Sequence, residues 1–303
     1  MTIQKTNGLV AAPFTPMRAD GALNLEAIPA FAQHLQRLGV VGAFICGTTG
    51  EGASLTLAER RSVAEQWRKV APPGLRVIVH VGHTCLDDAR ELAAHAQAIG
   101  VDSIACLAPY FFKPDGVAGL VEWCARIAAA APQLPFYYYH MPSMTGCNVP
   151  VADFLAAAAA RIPNLAGIKF TFEDLEDFGR SLRFADGRYD VLFGRDELLH
   201  SALKLGARGA VGSTYNWAAP LYRQVIAAYD RGDEATAVAL QAKAVEMIKI
   251  LVSGGGHPIA NFKRLMRRLS VDCGPTRLPL TDPTVAQATA MLARLEGLDC
   301  LAV

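Results

Sequence analysis

The sequence has 303 residues, of which 52% are hydrophobic and 19% charged, and this composition is that of a globular protein with ample material for a core. Lys and Arg together number 29 and Asp and Glu 28, so the formal net charge of +1 offers no excess of positive charge to a nucleic acid or an acidic membrane. We expect neither kind of partner.

Short apolar runs alternate with longer amphipathic segments along most of the chain. The apolar runs predict strands, and they lie at residues 8–14, 40–46, 76–81, 103–107, 135–139, 165–170, 190–194 and 209–212. The amphipathic segments predict helices, and those between the strands lie at about 25–38, 54–70, 87–99, 116–131, 151–161, 175–184 and 197–205. Further helical stretches follow the last strand, at 217–250, 259–269 and 282–298.

Eight strands that alternate with helices predict an α/β fold of the (β/α)8 TIM barrel type. A doubly wound open sheet is the alternative, but the even spacing and the number of strands favour a closed barrel. We place the barrel at residues 1–216 and a C-terminal helical extension at residues 217–303. Because no linker rich in Pro, Ser or Gly separates the two, we expect the extension to pack on the barrel as a single structural unit.

The cysteines indicate the redox compartment. There are seven, scattered and without a Cys-x-x-Cys pair, at Cys46, Cys85, Cys106, Cys124, Cys147, Cys273 and Cys300. An odd, unpatterned set is typical of reduced thiols rather than of a disulfide framework. Residues 1–6 lack the apolar core of a signal peptide, and no uninterrupted run of about 18 apolar residues indicates a membrane span. We expect a cytoplasmic protein.

Lys169 lies inside an apolar run, Asn164-Leu-Ala-Gly-Ile-Lys-Phe-Thr171, that is predicted to form the sixth strand. An ammonium group is costly to bury, and desolvation favours the neutral amine, which can attack a carbonyl and form a Schiff base. The alternative is a lysine at a strand end whose head reaches water. Because the active sites of such barrels lie at the carboxyl ends of the strands, we favour the reactive amine.

Other chemically active residues follow the second and fifth strands. Gly47-Thr-Thr-Gly-Glu-Gly52 carries hydroxyls and backbone amides that could hold a small carboxylate, although a Gly-rich turn without a ligand is an open alternative. The fifth strand ends in Tyr139, whose phenol can carry a proton to and from a reacting centre. We expect Tyr137 and Tyr138 to fill the aromatic layer between barrel and helices.

The last three strands deliver further polar groups, in Thr171, Gly194-Arg-Asp-Glu197 and Gly212-Ser-Thr214. Carboxylates and hydroxyls there suit a polyhydroxylated substrate, since buried polar groups reject analogues that fail to pair with them. The acidic pair could equally be charges at the start of a helix. His80-x-x-His83 lies at a strand end rather than on one helical face, and no third ligand is evident, so no metal site is expected.

Four motifs, in this order and spacing, resemble the pyruvate-dependent class I lyases of the dihydrodipicolinate synthase and N-acetylneuraminate lyase superfamily. They are Gly47-Thr-Thr-Gly-Glu51, Tyr139-His-Met-Pro142, Gly167-Ile-Lys-Phe170 and Gly212-Ser-Thr-Tyr-Asn216. The likeness runs from about Gly8 to the end of the chain. Within the superfamily, residues 131–140, 192–197 and 274–280 are similar to the N-acetylneuraminate lyase family.

The resemblance implies a role for each candidate residue. Lys169 matches the Schiff-base lysine and Tyr139 the proton carrier, with Thr48 as the hydroxyl linked to the tyrosine. Thr49 matches a group that helps to bind the pyruvate carboxylate. Five further residues match positions that contact the sugar-derived chain: Thr171, Gly194, Asp196, Glu197 and Ser213. The resemblance also implies a homotetramer, and the chemistry requires no metal and no organic cofactor beyond the covalent link to the small-molecule 2-oxo acid substrate.

Four residues depart from the superfamily patterns. Met144 stands where the synthase places an arginine that holds the carboxylate of its second substrate, and its loss removes a bidentate anion clamp. Phe111 stands where the synthase expects a tyrosine contributed by a neighbouring chain, and phenylalanine cannot relay a proton. His140 replaces a commoner asparagine. Arg195 adds a charge beside the predicted substrate contacts.

The expected activity is aldol cleavage of N-acetylneuraminate to N-acetylmannosamine and pyruvate through a Schiff base on Lys169. A lyase or dehydratase acting on another 2-oxo sugar acid, of the 2-keto-3-deoxygluconate type, shares the same lysine chemistry and is the first alternative. Dihydrodipicolinate synthase is disfavoured by Met144. A non-catalytic sensor of pyruvate or sugar acids is a further alternative, and the intact set of Lys169, Tyr139 and Thr48 speaks against it.

Overall fold

A closed barrel of eight parallel strands forms the centre of the fold. The computed structural model describes residues 3–269 and 271–298. The strands are Gly8–Ala11 (β1), Gly42–Ile45 (β2), Arg76–His80 (β3), Ser103–Leu107 (β4), Phe136–His140 (β5), Leu165–Phe170 (β6), Asp190–Phe193 (β7) and Gly209–Gly212 (β8). β1 pairs with both β2 and β8, which closes the barrel. The predicted TIM barrel is confirmed and the open sheet is wrong.

Helices surround the barrel and continue beyond it. In the described residues they are Ile28–Arg37 (α1), Leu57–Val70 (α2), Leu86–Ala98 (α3), Gly116–Ala128 (α4), Pro142–Thr145 (α5), Val151–Ala158 (α6), Leu175–Arg183 (α7), Leu199–Lys204 (α8), Ala219–Asp230 (α9), Glu234–Val252 (α10), Pro258–Leu269 (α11) and Val285–Glu296 (α12). The short α5 has no counterpart in the sequence prediction. It ends at Gly146, whose φ of 63° is the left-handed conformation that glycine adopts without strain.

The predicted helical stretch 217–250 is two helices, α9 and α10. Gly232 breaks it with a φ of 75°, and the Asp233 side chain caps the next helix by accepting a hydrogen bond from the Thr236 amide at 3.1 Å. α9 follows β8 directly and packs against α8, so it takes the place of the helix in the eighth βα unit. The predicted boundary between residues 216 and 217 therefore falls between β8 and the helix of the same βα unit. The division of the chain into a barrel and a C-terminal extension stays a prediction. Residues 299–303, with Cys300, lie outside the described residues.

The strands bury two separate apolar layers. One layer fills the barrel interior and includes Val10, Phe44, Tyr137, Tyr139, Leu192 and Val211. The other lies between the strands and the surrounding helices and includes Tyr138. Because side chains alternate along a strand, Tyr137 and Tyr139 point into the barrel and Tyr138 points out. The expectation that Tyr137 lies outside the barrel is thus wrong.

A polar network occupies the barrel interior beneath the site. The Tyr137 hydroxyl donates a hydrogen bond to Asp190 Oδ2 at 2.9 Å, and the Thr6 hydroxyl donates to the same oxygen at 2.8 Å. The guanidinium of Arg76 donates to the Thr6 hydroxyl at 3.0 Å. These bonds satisfy the buried polar groups at the amino ends of the strands. The network is therefore structural and lies at the end of the barrel opposite to the carboxyl ends of the strands.

No helix in the described part of the chain combines the length and the hydropathy that a membrane span requires. The cysteines described, Cys46, Cys85, Cys106, Cys124, Cys147 and Cys273, are all free thiols.

Candidate active site

A cavity of about 290 Å³ opens at the carboxyl ends of the strands. It receives every residue that the sequence singled out for catalysis or substrate binding: Thr48, Thr49, Tyr139, Lys169, Thr171, Gly194, Asp196, Glu197 and Ser213. These residues come from five different strand ends, which a closed parallel barrel brings together at one rim.

Lys169 enters the cavity from β6 and is only 5% exposed. Its Nζ lies 3.9 Å from the centre of the Phe44 ring and 4.0 Å from the centre of the Tyr139 ring. Burial lowers the pKa of Lys169 to about 7, although the negative charge of Asp196 raises it in part. The alternative of a lysine head that reaches bulk water is therefore wrong, and a large fraction of the amine is neutral near pH 7.

Tyr139 is the register partner of Lys169 across the β5–β6 pair. Its ring packs edge-on against Phe44 and His80, with centroid distances of 5.4 and 5.8 Å, and this fixes its orientation. The hydroxyl donates to Met141 Sδ at 2.9 Å and lies 3.4 Å from Thr48 Oγ1. Burial raises the pKa of Tyr139 to about 12, while the Thr48 hydroxyl lowers it. The phenol therefore carries its proton at neutral pH and is able to donate it.

Asp196 begins a short 3-10 helix, Asp196–Leu198, just after β7. Its Oδ2 accepts hydrogen bonds from the Thr214 amide at 3.0 Å and from the Thr214 hydroxyl at 2.5 Å. Burial, followed by the charge of Glu197, raises the pKa of Asp196 to about 6 against these hydrogen bonds. A Cβ atom at Gly212 would lie 2.0 Å from Asp196 Oδ1, so only glycine at the end of β8 admits this carboxylate.

Thr171 and Gly194 meet where β6 and β7 end. A Cβ atom at Gly194 would lie 2.1 Å from the Thr171 hydroxyl oxygen. The Gly194 amide donates to the Phe170 carbonyl at 2.7 Å, which keeps the two strand ends side by side. Glycine is therefore required at this position for steric reasons, and it leaves the Thr171 side chain at the cavity wall.

Glu197 lies beside Arg195 at the rim. Arg195 Nη2 is 2.6 Å from Glu173 Oε1 and 3.7 Å from Glu197 Oε1. The arginine thus joins the loop after β6 to the loop after β7. Its Nε is buried without a hydrogen-bond partner among the described residues, which leaves one donor unused by the protein.

The loop Gly47–Gly52 carries Thr48 and Thr49 to the cavity. The Thr15 hydroxyl donates to the Gly50 carbonyl at 2.6 Å. Glu51, in the left-handed conformation with a φ of 54°, forms a buried ion pair with Lys263 at 2.5 Å and accepts from the Arg277 amide at 2.8 Å. The loop is therefore fixed by residues more than 200 positions away in the chain. Ser213 is held locally instead, because its carbonyl accepts from Asn216 Nδ2, three residues along the chain, at 2.8 Å.

The C-terminal helices supply one wall of the cavity, which the sequence interpretation did not foresee. Ile248 and Val252 of α10 and Ile259 and Phe262 of α11 line it. Gln241 of α10 contacts the backbone of the 3-10 helix at Asp196. The Glu51 carboxylate, although part of a recognised motif, was given no role. The one signal in the sequence is that Glu51 stands between Gly50 and Gly52, which could have indicated a constrained backbone at this residue.

The four residues that depart from the superfamily patterns lie at different distances from the cavity. Met144 borders the cavity and is 58% exposed, so it places no cation there. Phe111 is 75% exposed. His140 lies on the outer face of β5, buried against Phe170, and burial lowers its pKa to about 4, so its imidazole is neutral. Of the four departures, Met144 and Arg195 are the ones that reach the cavity.

The two histidines of His80-x-x-His83 do not converge. His80 Nδ1 lies 3.1 Å from the Cys46 carbonyl oxygen, and His83 Nδ1 lies 3.4 Å from Asp88 Oδ2. Across residues 3–269 and 271–298, no group of three or more His, Cys, Asp or Glu side chains is placed to hold a metal ion.

A desolvated lysine amine, a protonated phenol and a rim of hydroxyls and carboxylates at the carboxyl end of a TIM barrel define a carbon–carbon lyase of the class I aldolase type. The model of the dihydrodipicolinate synthetase family matches residues 5–296. The chain belongs to this family.

Within this family, the chain is similar to several N-acetylneuraminate lyases. The chain is 41% identical over 302 residues to N-acetylneuraminate lyase of Mus musculus, with 98% of this chain and 94% of that protein covered. It is 39% identical over 299 residues to N-acetylneuraminate lyase of Danio rerio, with 97% of each covered. Among solved structures, Proteus mirabilis N-acetylneuraminate lyase superposes with a TM-score of 0.95 at 41% identity, covering 98% of this chain and 100% of the other.

Proposed function

We propose that this protein cleaves N-acetylneuraminate to N-acetylmannosamine and pyruvate through a Schiff base on Lys169. The observation that carries the proposal is the buried Lys169 amine, whose pKa is lowered to about 7, in a cavity shared with Tyr139 and Asp196. The identity of about 40% to N-acetylneuraminate lyases over nearly the whole chain supports this choice of substrate.

The first step is imine formation. The neutral amine of Lys169 adds to the C2 carbonyl of the open-chain sugar acid, and loss of water from the resulting carbinolamine gives the Schiff base. The hydroxyl leaves more easily when it is protonated, and Tyr139 holds a proton at neutral pH, far below its pKa of about 12; because burial raises this pKa, the phenolate that forms is a stronger base for the next step. Tyr139 therefore donates this proton and becomes the phenolate, which the Thr48 hydroxyl at 3.4 Å stabilises.

The second step is cleavage of the C3–C4 bond. The Tyr139 phenolate accepts the proton of the C4 hydroxyl, the C4 oxygen forms the aldehyde of N-acetylmannosamine, and the electrons of the C3–C4 bond move into the protonated imine. Tyr139 returns its proton to C3 of the enamine that remains, which gives the protonated imine of pyruvate and the phenolate. Water then adds to the imine carbon, the phenolate takes the released proton, and loss of pyruvate regenerates the neutral Lys169 amine. No metal or organic cofactor is required, since the protonated imine itself accepts the electrons.

The other residues at the rim bind the substrate. Thr49, beside Thr48 on the Gly-rich loop, holds the carboxylate next to C2. Hydroxyls and carboxylates farther along the cavity pair with the hydroxyl groups of the sugar-derived chain, and backbone at a glycine allows close approach. These residues are Thr171, Gly194, Asp196, Glu197 and Ser213.

Three properties of the whole protein complete the proposal. We infer a homotetramer, which light scattering tests; the exposed aromatic rings of Phe111 and Phe112, 75% and 84% exposed, supply apolar area for contacts between subunits. The free thiols suit a cytoplasmic location. The barrel and its extension act as one unit, because α10 and α11 line the cavity.

Borohydride reduction in the presence of pyruvate, followed by mass mapping, tests the Schiff base. A stable adduct on Lys169 is expected, and its absence from the intact enzyme overturns the mechanism. Product analysis over a panel of 2-oxo sugar acids tests the substrate. Turnover of 2-keto-3-deoxygluconate equal to or better than that of N-acetylneuraminate would reassign the substrate, and binding without turnover of any would indicate a sensor.

A further inference from the structure

Gln241, in the middle of α10, makes three hydrogen bonds, two of them buried and one partly buried, to the backbone that follows β7. Its Nε2 donates to the Asp196 carbonyl at 3.0 Å and to the Glu197 carbonyl at 3.1 Å. Its Oε1 accepts from the His200 amide at 3.0 Å. The side-chain amide thus uses both of its donor hydrogens and its acceptor on one turn of chain, and the residue is only 8% exposed.

The turn that Gln241 holds carries two of the acidic groups of the cavity. The Asp196 carboxylate has a second anchor, because Thr214 donates to it from its amide and its hydroxyl. Among residues 3–269 and 271–298, the Glu197 carboxylate has no comparable anchor. Arg195 lies 3.7 Å from it and is closer, at 2.6 Å, to Glu173. The direction of the Glu197 side chain therefore depends mainly on where its backbone is held.

We propose that Gln241 is a positioning residue that sets the sugar-binding carboxylates, and Glu197 above all, without touching the substrate. The inference rests on the proposed function, because it assigns those carboxylates to the sugar-derived chain. Gln241 does not line the cavity, and its bonds end on backbone atoms of the turn. It acts on binding of the sugar part. Because Thr214 holds the Asp196 carboxylate independently of Gln241, the charge that acts on Lys169 keeps its place and the lysine chemistry on β6 is unaffected.

The geometry makes this division of effects testable. Lys169 and Tyr139 are held by the β5–β6 pairing, with which Gln241 makes no hydrogen bond. Loss of the amide donors would free the turn at Glu197, while Thr214 still holds the Asp196 carboxylate and the amine and phenol keep their places. Pyruvate, which lacks the sugar chain, should then still form its adduct, whereas N-acetylneuraminate should bind less well.

Two variants separate the donors from the acceptor. Gln241→Met removes both, and Gln241→Glu keeps an oxygen for the His200 amide but replaces the donors with an oxygen that faces two carbonyls. The matched control is Gln97→Met on α3, because Gln97 also bonds backbone, accepting from the Gln133 amide at 2.9 Å, but lies away from the cavity. KM and kcat for N-acetylneuraminate and the rate of borohydride trapping with pyruvate are measured for each.

Both Gln241 variants should raise KM for N-acetylneuraminate by about tenfold or more, with pyruvate trapping within about twofold of wild type, and Gln97→Met should change neither. An unchanged KM in both Gln241 variants overturns the proposal. Loss of pyruvate trapping or of folding in both would assign Gln241 to general stability and overturn it equally. Failure of the wild-type enzyme to form the adduct counts against the proposed function, whereas a wild-type adduct with unchanged KM in the variants counts against Gln241 alone.

Discussion

Lys169 and Tyr139 face each other across neighbouring strands so that the amine lies over the aromatic ring, 4.0 Å from its centre, while the phenol oxygen points to Thr48 and Met141. One tyrosine thereby serves two purposes. Its ring excludes water from the amine, and its hydroxyl is left for proton transfer. Substitutions at Lys169 and Tyr139 separate the contribution of the ring from that of the hydroxyl.

Replacement of Lys169 by Met should abolish the pyruvate adduct and stabilise the fold. Burial lowers the pKa of the lysine from 10.5 to about 7, and each pKa unit corresponds to about 1.4 kcal/mol, so we expect a gain of about 5 kcal/mol at pH 6. The gain should be fully present below pH 7 and disappear as the pH approaches 10.5, where the unfolded lysine also loses its proton. Urea unfolding at pH 6 and pH 10 measures it, and equal stability of variant and wild type at pH 6 would contradict the argument.

Replacement of Asp196 by Asn should shift the pH dependence of pyruvate trapping downward. Trapping rises as the Lys169 amine becomes neutral, with a midpoint near pH 7, and the Asp196 charge raises that pKa. Removal of the charge should lower the midpoint, so that the variant traps pyruvate faster than wild type at pH 7, where Asp196 of the wild type is mostly ionised. The control is Asp153→Asn, at an exposed carboxylate paired with Arg180. An unmoved or raised midpoint for Asp196→Asn would refute the coupling between the two groups.

Replacement of Tyr139 by Phe should retain the ring and remove the proton carrier. We expect kcat for cleavage to fall by about 10²- to 10⁴-fold, the usual contribution of a positioned acid–base group. Prolonged incubation with pyruvate and borohydride should still label Lys169, because the amine keeps its surroundings. Tyr138→Phe, on the outer face of the same strand, should change kcat by less than about twofold. Full activity of Tyr139→Phe would exclude the phenol from the reaction.

Replacement of Lys263 by Met should destabilise the protein strongly. The side chains of Lys263 and Glu51 are 1% and 0% exposed, so the change leaves a buried carboxylate without its cation, at a cost of about 3–5 kcal/mol. The double variant Glu51→Gln with Lys263→Met should recover part of this loss. Arg180→Met, which breaks the exposed pair with Asp153, should cost less than about 1 kcal/mol. Urea unfolding compares the three, and equal losses for Lys263→Met and Arg180→Met would show that the buried pair has no special weight.

The sequence predicted the barrel and the rim residues because both follow from local patterns. Strand and helix periodicity gave the eight units, and the strand-end rule with the family motifs selected Lys169, Tyr139 and the Thr48 loop. The break at Gly232 was missed, since a single glycine in a polar stretch is compatible with a continuing helix. Tyr137 was assigned to the wrong side of its strand. Gln241 and Lys263 could not be found, because their partners lie 45 and more than 200 positions away.

The cavity wall formed by α10 and α11 bears on how the site is assembled during synthesis. A nascent chain that ends after β8 holds all of the candidate catalytic residues, yet it lacks Lys263, which pairs with Glu51, and the helices that form the apolar wall of the cavity. The segment that completes the site, from α10 through Arg277, is synthesised after the eight strands, and domains fold as their sequence emerges. The Gly47–Gly52 loop therefore gains the ion pair and the hydrogen bond that fix it, and the cavity its apolar wall, only after this segment has been synthesised.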